Sequence, residues 1–213
     1  VNLLQPPKSL FDLSGKIALI TGASRGLGQH MSRALAAAGA DVAITSRTLS
    51  SLEQTKQDIT ALGRNCLPLE LDVREYESIQ TAVAKAIDHY GRIDILINNA
   101  GMNIRKFSAD YTWDEYNTIL NTNLRSMFFV SQEVARHSMI PNKYGRIINI
   151  GSVTSVRGFS ICVPYGASRG GVVQLTKGFA ADWSKFGITV NAIGPGDFVT
   201  EQTQSAFDDE EWT

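Results

Sequence analysis

The sequence predicts a single α/β domain built on a parallel sheet, and three observations predict it. Short β-rich apolar runs alternate with longer helix-period segments from one end of the chain to the other, the pattern of stacked βα units. Glycine recurs where a helical stretch ends, the place for a residue at positive φ that closes the turn before the next strand. The length, 213 residues, is within what one α/β domain takes, and no linker, low-complexity tract or internal repeat beyond the βα alternation divides it.

The first strand candidate, Lys16 to Thr21, runs into a glycine cluster and then a helix over about Leu27 to Ala38, closed by Gly39. Asp41 to Ser46 is the second strand, followed by a helix over about Leu49 to Leu62 and by Gly63. Cys66 to Leu71 is the third, with a helix from Tyr76 to Tyr90 and Gly91 after it. Ile93 to Asn98 is the fourth, and the longest helical stretch, Trp113 to Met139, follows it, with Gly145 closing its tail. Arg146 to Ile150 and Ile188 to Ile193 complete the strands, with a helix over Tyr165 to Phe186 and Gly187 between them. Length separates the two kinds of run: strands of about six residues, helices of about a dozen or more.

Composition excludes several classes of function. With 43% apolar residues and 18 glycines the chain has the apolar share of an ordinary globular protein, so it is not disordered. Twenty Lys and Arg balance 21 Asp and Glu without a block of like charge, which argues against nucleic-acid binding by bulk electrostatics. No apolar run approaches the ~18 residues of a membrane span and the start lacks a signal-peptide pattern, so a soluble, cytoplasmic protein is expected. Cys66 and Cys162 have no CxxC or Cys/His spacing and read as reduced structural residues. His30, His89 and His137 lie far apart in helical patterns, so no metal-ligand set is expected.

The expected layout is an N-terminal extension over 1–14 and a dinucleotide-binding domain over 15–213. Asp208, Asp209, Glu210 and Glu211 read as the first turn of a helix that does not run on, and the chain opens on Val1. The first is an expected sign of a domain truncated at its C-terminus, its last strand missing, and the second of a start that has been processed or cut.

Thr21-Gly22-Ala23-Ser24-Arg25-Gly26-Leu27-Gly28 follows the first strand and opens the first helix. There glycines permit a tight turn and close backbone approach, and a helix N-terminus offers free N–H groups to a pyrophosphate. The second strand ends at Ser46-Arg47, about 20 residues on, where an Asp or Glu would accept from an NAD ribose. No acid occurs from Val42 through Leu52. Arg47, with Arg25 opposite, suits a 2′-phosphate instead, so NADP(H) is expected over NAD(H).

Ser152 falls just past the fifth strand, at the carboxyl edge where open α/β sheets bind ligands. Tyr165 follows 13 residues later at a helix start, and Arg169 stands one helical turn beyond it on the same face. Beside a nicotinamide, a Ser, a Tyr and a cation make a carbonyl-reducing set: the serine hydrogen-bonds the carbonyl oxygen and the tyrosine donates the proton. A phenol, ordinarily near pKa ~10, needs a neighbouring cation to do this at neutral pH.

With these motifs the chain resembles the short-chain dehydrogenase/reductase family over essentially its whole length. The resemblance rests on Thr21 to Gly28, Asp72-Val73 after the third strand, and Asn98-Asn99-Ala100-Gly101 after the fourth. It rests also on Asn123 in Asn121-Thr122-Asn123-Leu124, Ser152, Tyr165, and Asn191 through Pro195-Gly196 with Thr200. It implies a doubly wound (Rossmann) sheet. It implies cofactor contacts from Gly22, Ser24, Arg25, Gly26, Leu27, Gly28, Ser46 and Arg47, with Asp72 and Val73 bordering the adenine. Asn99, Ala100 and Gly101 would line the adenosine side, while Pro195, Gly196, Phe198 and Thr200 would cover the nicotinamide and pyrophosphate. Tyr165 and Arg169 would touch the cofactor as well as react, and Asn123 and Ser152 would complete the catalytic set.

The opening Leu10 to Lys16 and the Gly28-Gln29 junction are most similar to the gluconate 5-dehydrogenase-like branch. The implied reaction interconverts a ketone and a secondary alcohol, on a sugar acid such as gluconate or 5-keto-gluconate, in a homodimer or homotetramer. Arg105, Lys106 and Arg157 on the pocket loops would suit an acidic substrate. The alternatives are a 3-oxoacyl thioester reductase, or an NADP-binding sensor or partner. The last follows from a departure: family members carry Tyr-x-x-x-Lys, and here Arg169 keeps the charge without the compact ammonium.

Overall fold

The computed structural model describes residues 11–198. Six strands form one parallel sheet: β1 (Ile17–Ile20), β2 (Asp41–Ser46), β3 (Cys66–Glu70), β4 (Ile95–Asn98), β5 (Gly145–Ile150) and β6 (Ile188–Ile193). Their order is β3-β2-β1-β4-β5-β6. The chain starts at the centre, builds outward to β3, returns to lay β4 against the other side of β1, and builds outward again. This is the doubly wound sheet, and the reversal between β1 and β4 opens a crevice beyond their carboxyl ends.

Helices cover both faces, which is why the strands read as nearly unbroken apolar runs. Alternate residues divide between two cores. Leu19, Ala43, Leu96, Ile147 and Val190 share one, packed under α3 (Tyr76–Tyr90) and the later helices. Ala18, Ile20, Val42, Ile44, Ile95 and Ile97 share the other, under α1 (Gly26–Ala37) and α2 (Glu53–Ala61). The register Leu19↔Ala43, Leu19↔Leu96, Leu96↔Ile147 and Ile147↔Val190 runs the first of these as a continuous row across the sheet. Leu13, ahead of β1, packs on the second core, and its N–H donates to Ala38 O at 2.7 Å.

The long helical stretch is composite. A capping box of Thr112 and Glu115 starts α4 (Trp113–Leu120); α5 (Ser126–Val134) and α6 (Ile140–Asn142) continue it. Wider π-helical turns at Asn121–Arg125 and Ala135–Met139 join them. The sequence pattern does not show these turns, because one inserted residue leaves a helix period nearly unchanged over so short a span. The last helix, α7 (Val163–Trp183), starts two residues earlier than expected, with Pro164 in its first turn, and a 3-10 turn carries it to Phe186.

Gly39, Gly63, Gly91 and Gly187 have positive φ after their helices, but Gly145 does not. At that junction Lys143 takes the left-handed conformation, φ 51, and Gly145 is already the first residue of β5. Gly145 is instead required by packing, since a Cβ there would overlap the Met139 side chain. Among the described residues no helix is long and apolar enough to cross a membrane.

Gly187 combines both demands: φ is 72, and a Cβ would stand 2.5 Å from the Lys143 carbonyl oxygen. Gly187→Ala is expected to destabilise the fold by about 2 kcal/mol or more, lowering Tm by roughly 4–8 °C in a thermal melt.

Candidate active site

A cleft of about 910 Å³ lies across the carboxyl ends of the strands, where β1 and β4 part. Its floor is set by a hydrogen-bonded seam. The Thr21 hydroxyl oxygen accepts from the N–H groups of Asn99 (2.9 Å) and Ala100 (3.0 Å). In return the Asn99 side-chain amide donates to the carbonyls of Thr21 (3.0 Å) and Gly22 (2.9 Å). The glycines let this seam close: Gly22 has φ 67, and a Cβ on Gly28 would overlap the Gly22 carbonyl and stand 2.5 Å from the Asn99 amide nitrogen. Helix α1 begins directly on the cleft with Gly26, Leu27 and Gly28. Its N-cap residue, Arg25, makes no capping bond and its first turn carries no acid, so N–H groups are left for an anionic ligand.

At the far end the cleft is bounded by Ser24, Arg25, Ser46, Arg47, Asp72 and Val73. The Ser46 hydroxyl donates to Thr48 O at 2.7 Å and meets Ser51 Oγ at 2.8 Å, turning the chain sharply after β2. Arg25 and Arg47 are exposed and form no ion pair among the described residues. Arg74 also borders the cleft, gripping Asp72 with Nε at 3.0 Å and Nη2 at 2.5 Å. That hydrogen-bonded guanidinium, helped by the charge of Arg47, holds the Asp72 carboxyl below its ordinary range. Arg74, Thr48 and Ser51 were not singled out from the sequence; the Asp-x-Arg spacing after β3 is the signal that points to the first of them.

The near end carries Ser152, Tyr165 and Arg169. Ser152 follows β5 in extended conformation and caps a 3-10 turn over Val153–Ser155. Its Oγ accepts from Thr154 N at 3.1 Å and so keeps its own proton to donate. Two bonds to the end of β6 and the segment after it fix this turn: Gly151 N to Ile193 O at 2.7 Å and Val153 N to Pro195 O at 3.0 Å. Tyr165 enters from the first turn of α7, and its hydroxyl makes no hydrogen bond among the described residues. The Arg169 guanidinium carbon is 4.9 Å from the centroid of the Tyr165 ring. Gly101, Pro195, Gly196 and Phe198 border the same end. Thr200 and the acidic run 208–211 lie outside the described residues.

Asn123 does not reach the cleft wall. It is fully buried in the first π-helical turn. Its amide is spent on Met102 N (2.8 Å), Met102 O (2.9 Å) and Ser168 Oγ (3.1 Å). It therefore pins the strand-β4 exit to α7, beside Arg169. The expectation that Lys106 attracts an acidic substrate needs correction, since Lys106 Nζ binds both oxygens of Glu115 at 2.9 and 3.0 Å. The histidines are apart, and no cluster of three metal-ligating side chains occurs among the described residues.

Comparison with known proteins agrees with this geometry. The short chain dehydrogenase family is matched over residues 16–211. The gluconate 5-dehydrogenase of Gluconobacter oxydans is 41% identical over 204 residues, 96% of this chain and 79% of that one. A 3-oxoacyl-acyl-carrier-protein reductase of Vibrio harveyi is 38% identical, over 93% of this chain and 80% of that one. The crystal structure of a gluconate 5-dehydrogenase from Burkholderia cenocepacia, in complex with NADP and tartrate, superposes with a TM-score of 0.90. It is 38% identical, and the match covers 95% of this chain and 79% of that one.

Because the native Asp72 carboxyl is held low, the bond to Arg74 contributes stability above about pH 4, where the unfolded carboxyl is ionised. That contribution is lost as pH falls through the lower native value. Asp72→Asn is expected to melt slightly below wild type at pH 6, by no more than about 1 kcal/mol for so exposed a pair, and to converge with it near pH 2. Melting temperatures across that range check the sign.

Proposed function

We propose that this chain, which belongs to the short-chain dehydrogenase family and is a nicotinamide-dependent oxidoreductase, uses NADP(H) to interconvert the ketone and secondary alcohol of a sugar acid of the gluconate type. The observation that carries the chemistry is the pair of available hydroxyls on one cleft wall: Ser152 with its proton free to donate, and Tyr165 with no competing partner.

The cleft suits the cofactor on its own residues. Uncapped N–H groups of α1 face the pyrophosphate position, and the far end presents two unpaired guanidiniums and no acid on the β2 side. When bound, the nicotinamide supplies the hydride to the carbonyl carbon or takes it from the alcohol. Ser152 donates a hydrogen bond to the carbonyl oxygen, orienting it and stabilising the negative charge that develops there. Tyr165 gives its phenolic proton to that same oxygen, or in the reverse direction removes the alcohol proton. Arg169, one helical turn along α7, holds its guanidinium carbon 4.9 Å from the centre of the phenol ring. Asn123 acts through its hold on Met102 and Ser168 and is a positioning residue.

The substrate class draws on the names of the sugar-acid relatives and on Arg157, an exposed cation on the loop after Ser152. A second reading, reduction of a 3-oxoacyl thioester, is favoured by apolar side chains exposed on the same loops, Val156 at 81% and Phe107 at 62%. A homodimer or homotetramer in the cytoplasm belongs to the same proposal. Exposed aromatic rings at Tyr76 and Phe128, bridged by the half-buried Phe129, support it as apolar area for a partner copy.

Arg47→Ala is expected to weaken NADPH binding at least tenfold, about 1.4 kcal/mol, with NADH affinity unchanged. Calorimetry with both cofactors checks it, and equal affinities in wild type would remove the assignment of Arg47. Tyr165→Phe is expected to lower kcat by roughly 10²–10⁴ with NADPH affinity within twofold of wild type. Turnover of 5-keto-gluconate against an acetoacetyl thioester, followed by loss of NADPH absorbance, separates the two substrate readings.

A further inference from the structure

Arg169 is only 5% exposed, yet no carboxylate pairs with it among the described residues. A buried guanidinium without a counter-ion costs stability, so its position has to be explained by what it touches. Nη1 donates to Ile150 O at 2.8 Å. Ile150 is the last residue of β5, two before Ser152. The guanidinium carbon lies over the ring of Tyr165, four residues back on α7, 4.9 Å from its centroid. Nη2 occupies the place a side chain would take on Gly101: a Cβ there would overlap Nη2 and stand 3.4 Å from the guanidinium carbon. One side chain therefore meets the exits of β4 and β5 and the start of α7. Nε is buried without a hydrogen-bond partner, so the group is held by the Nη1 bond and by packing of Nη2 and the guanidinium carbon.

Resting on the reading of Ser152 and Tyr165 as the reacting pair, we infer that Arg169 is a positioning brace that sets the spacing between them, and that Gly101 must be glycine because this guanidinium fills its Cβ position. The planar fork is what makes the brace work. Its nitrogens point along fixed, divergent directions, so the bond to Ile150 and the packing on Gly101 are made together while the central carbon sits over the phenol ring. A lysine ammonium, a single point at the end of a flexible stem, reaches one of these positions at a time.

The test uses the full chain with Arg169→Lys, Arg169→Met, Gly101→Ala and the Gly101→Ala/Arg169→Lys double variant. Thermal melts without cofactor or substrate read the steric claim alone. Gly101→Ala is expected to lower Tm by about 4 °C or more with arginine at 169, and by under about 1 °C with lysine there. Additive shifts would overturn the claim. If Gly101→Ala does not fold, recovery of a folded double variant supports it, and failure of both overturns it. Turnover with saturating NADPH reads the brace. Arg169→Met is expected to lower kcat about 10²-fold and Arg169→Lys about tenfold, with NADPH affinity within threefold of wild type. Unchanged kcat with NADPH binding weakened more than tenfold would make Arg169 a cofactor contact and not a brace. A wild type inactive on every ketone, with the melting-temperature coupling intact, would fail the enzymatic reading and leave the Arg169–Gly101 coupling standing.

Discussion

The structure depends on the seam between the ends of β1 and β4. Two strands that diverge at their carboxyl ends would leave four backbone polar groups facing a cleft, each needing a partner. Thr21 and Asn99 supply them reciprocally, side chain to backbone in both directions. The seam determines how closely the glycine loop approaches Ala100 and Gly101, and so how deep the cleft is. It also explains why Gly28 tolerates no side chain: helix α1 must start within contact of the Gly22 carbonyl.

A second buried network extends that order to the reacting end. Asn98 and Asn149 are register partners in β4 and β5. The Asn98 amide donates to Ser131 Oγ at 2.8 Å and to Asn149 Oδ1 at 2.9 Å, and the Asn149 amide donates to Thr176 Oγ1 at 2.9 Å. This network runs from α5 across one face of β4 and β5 to the middle of α7. Asn123 adds a parallel tie from the β4 exit to Ser168. With α7 anchored at several depths, the hydroxyls of Ser152 and Tyr165 rest on rigid elements, as a proton transfer requires.

Charge differs along the cleft. Among the described residues, the far end presents Arg25 and Arg47 without ion pairs and the carboxylate of Asp72, which is bound by Arg74. The near end has the buried cation Arg169, with no carboxylate paired to it among the described residues. The rim, by contrast, spends Lys106 on Glu115 and leaves apolar side chains exposed. Among the described residues, positive charge is left without a carboxylate partner at both ends of one cleft.

Much was legible in the linear order of residues. The βα alternation, the glycine cluster after the first strand, the missing acid after Ser46, and the Ser152, Tyr165 and Arg169 spacing each rest on local periodicity or residue chemistry, which short segments carry by themselves. All six strands lie where those runs place them, to within one or two residues at their ends. Other features depend on contacts made only once the chain is packed. The π-helical turn that buries Asn123, the neutralisation of Lys106 by Glu115, the left-handed Lys143 that frees Gly145 for β5, and the fit of the Arg169 guanidinium against Gly101 are of this kind. Each is decided by which atoms the packing brings together, not by residue period. The sequence determined which groups could bind a dinucleotide and move a proton; only the tertiary structure decided which of them face the cleft and which are consumed in holding it together, because a side chain's hydrogen-bonding capacity is spent on whichever partner the packing brings within about 3 Å.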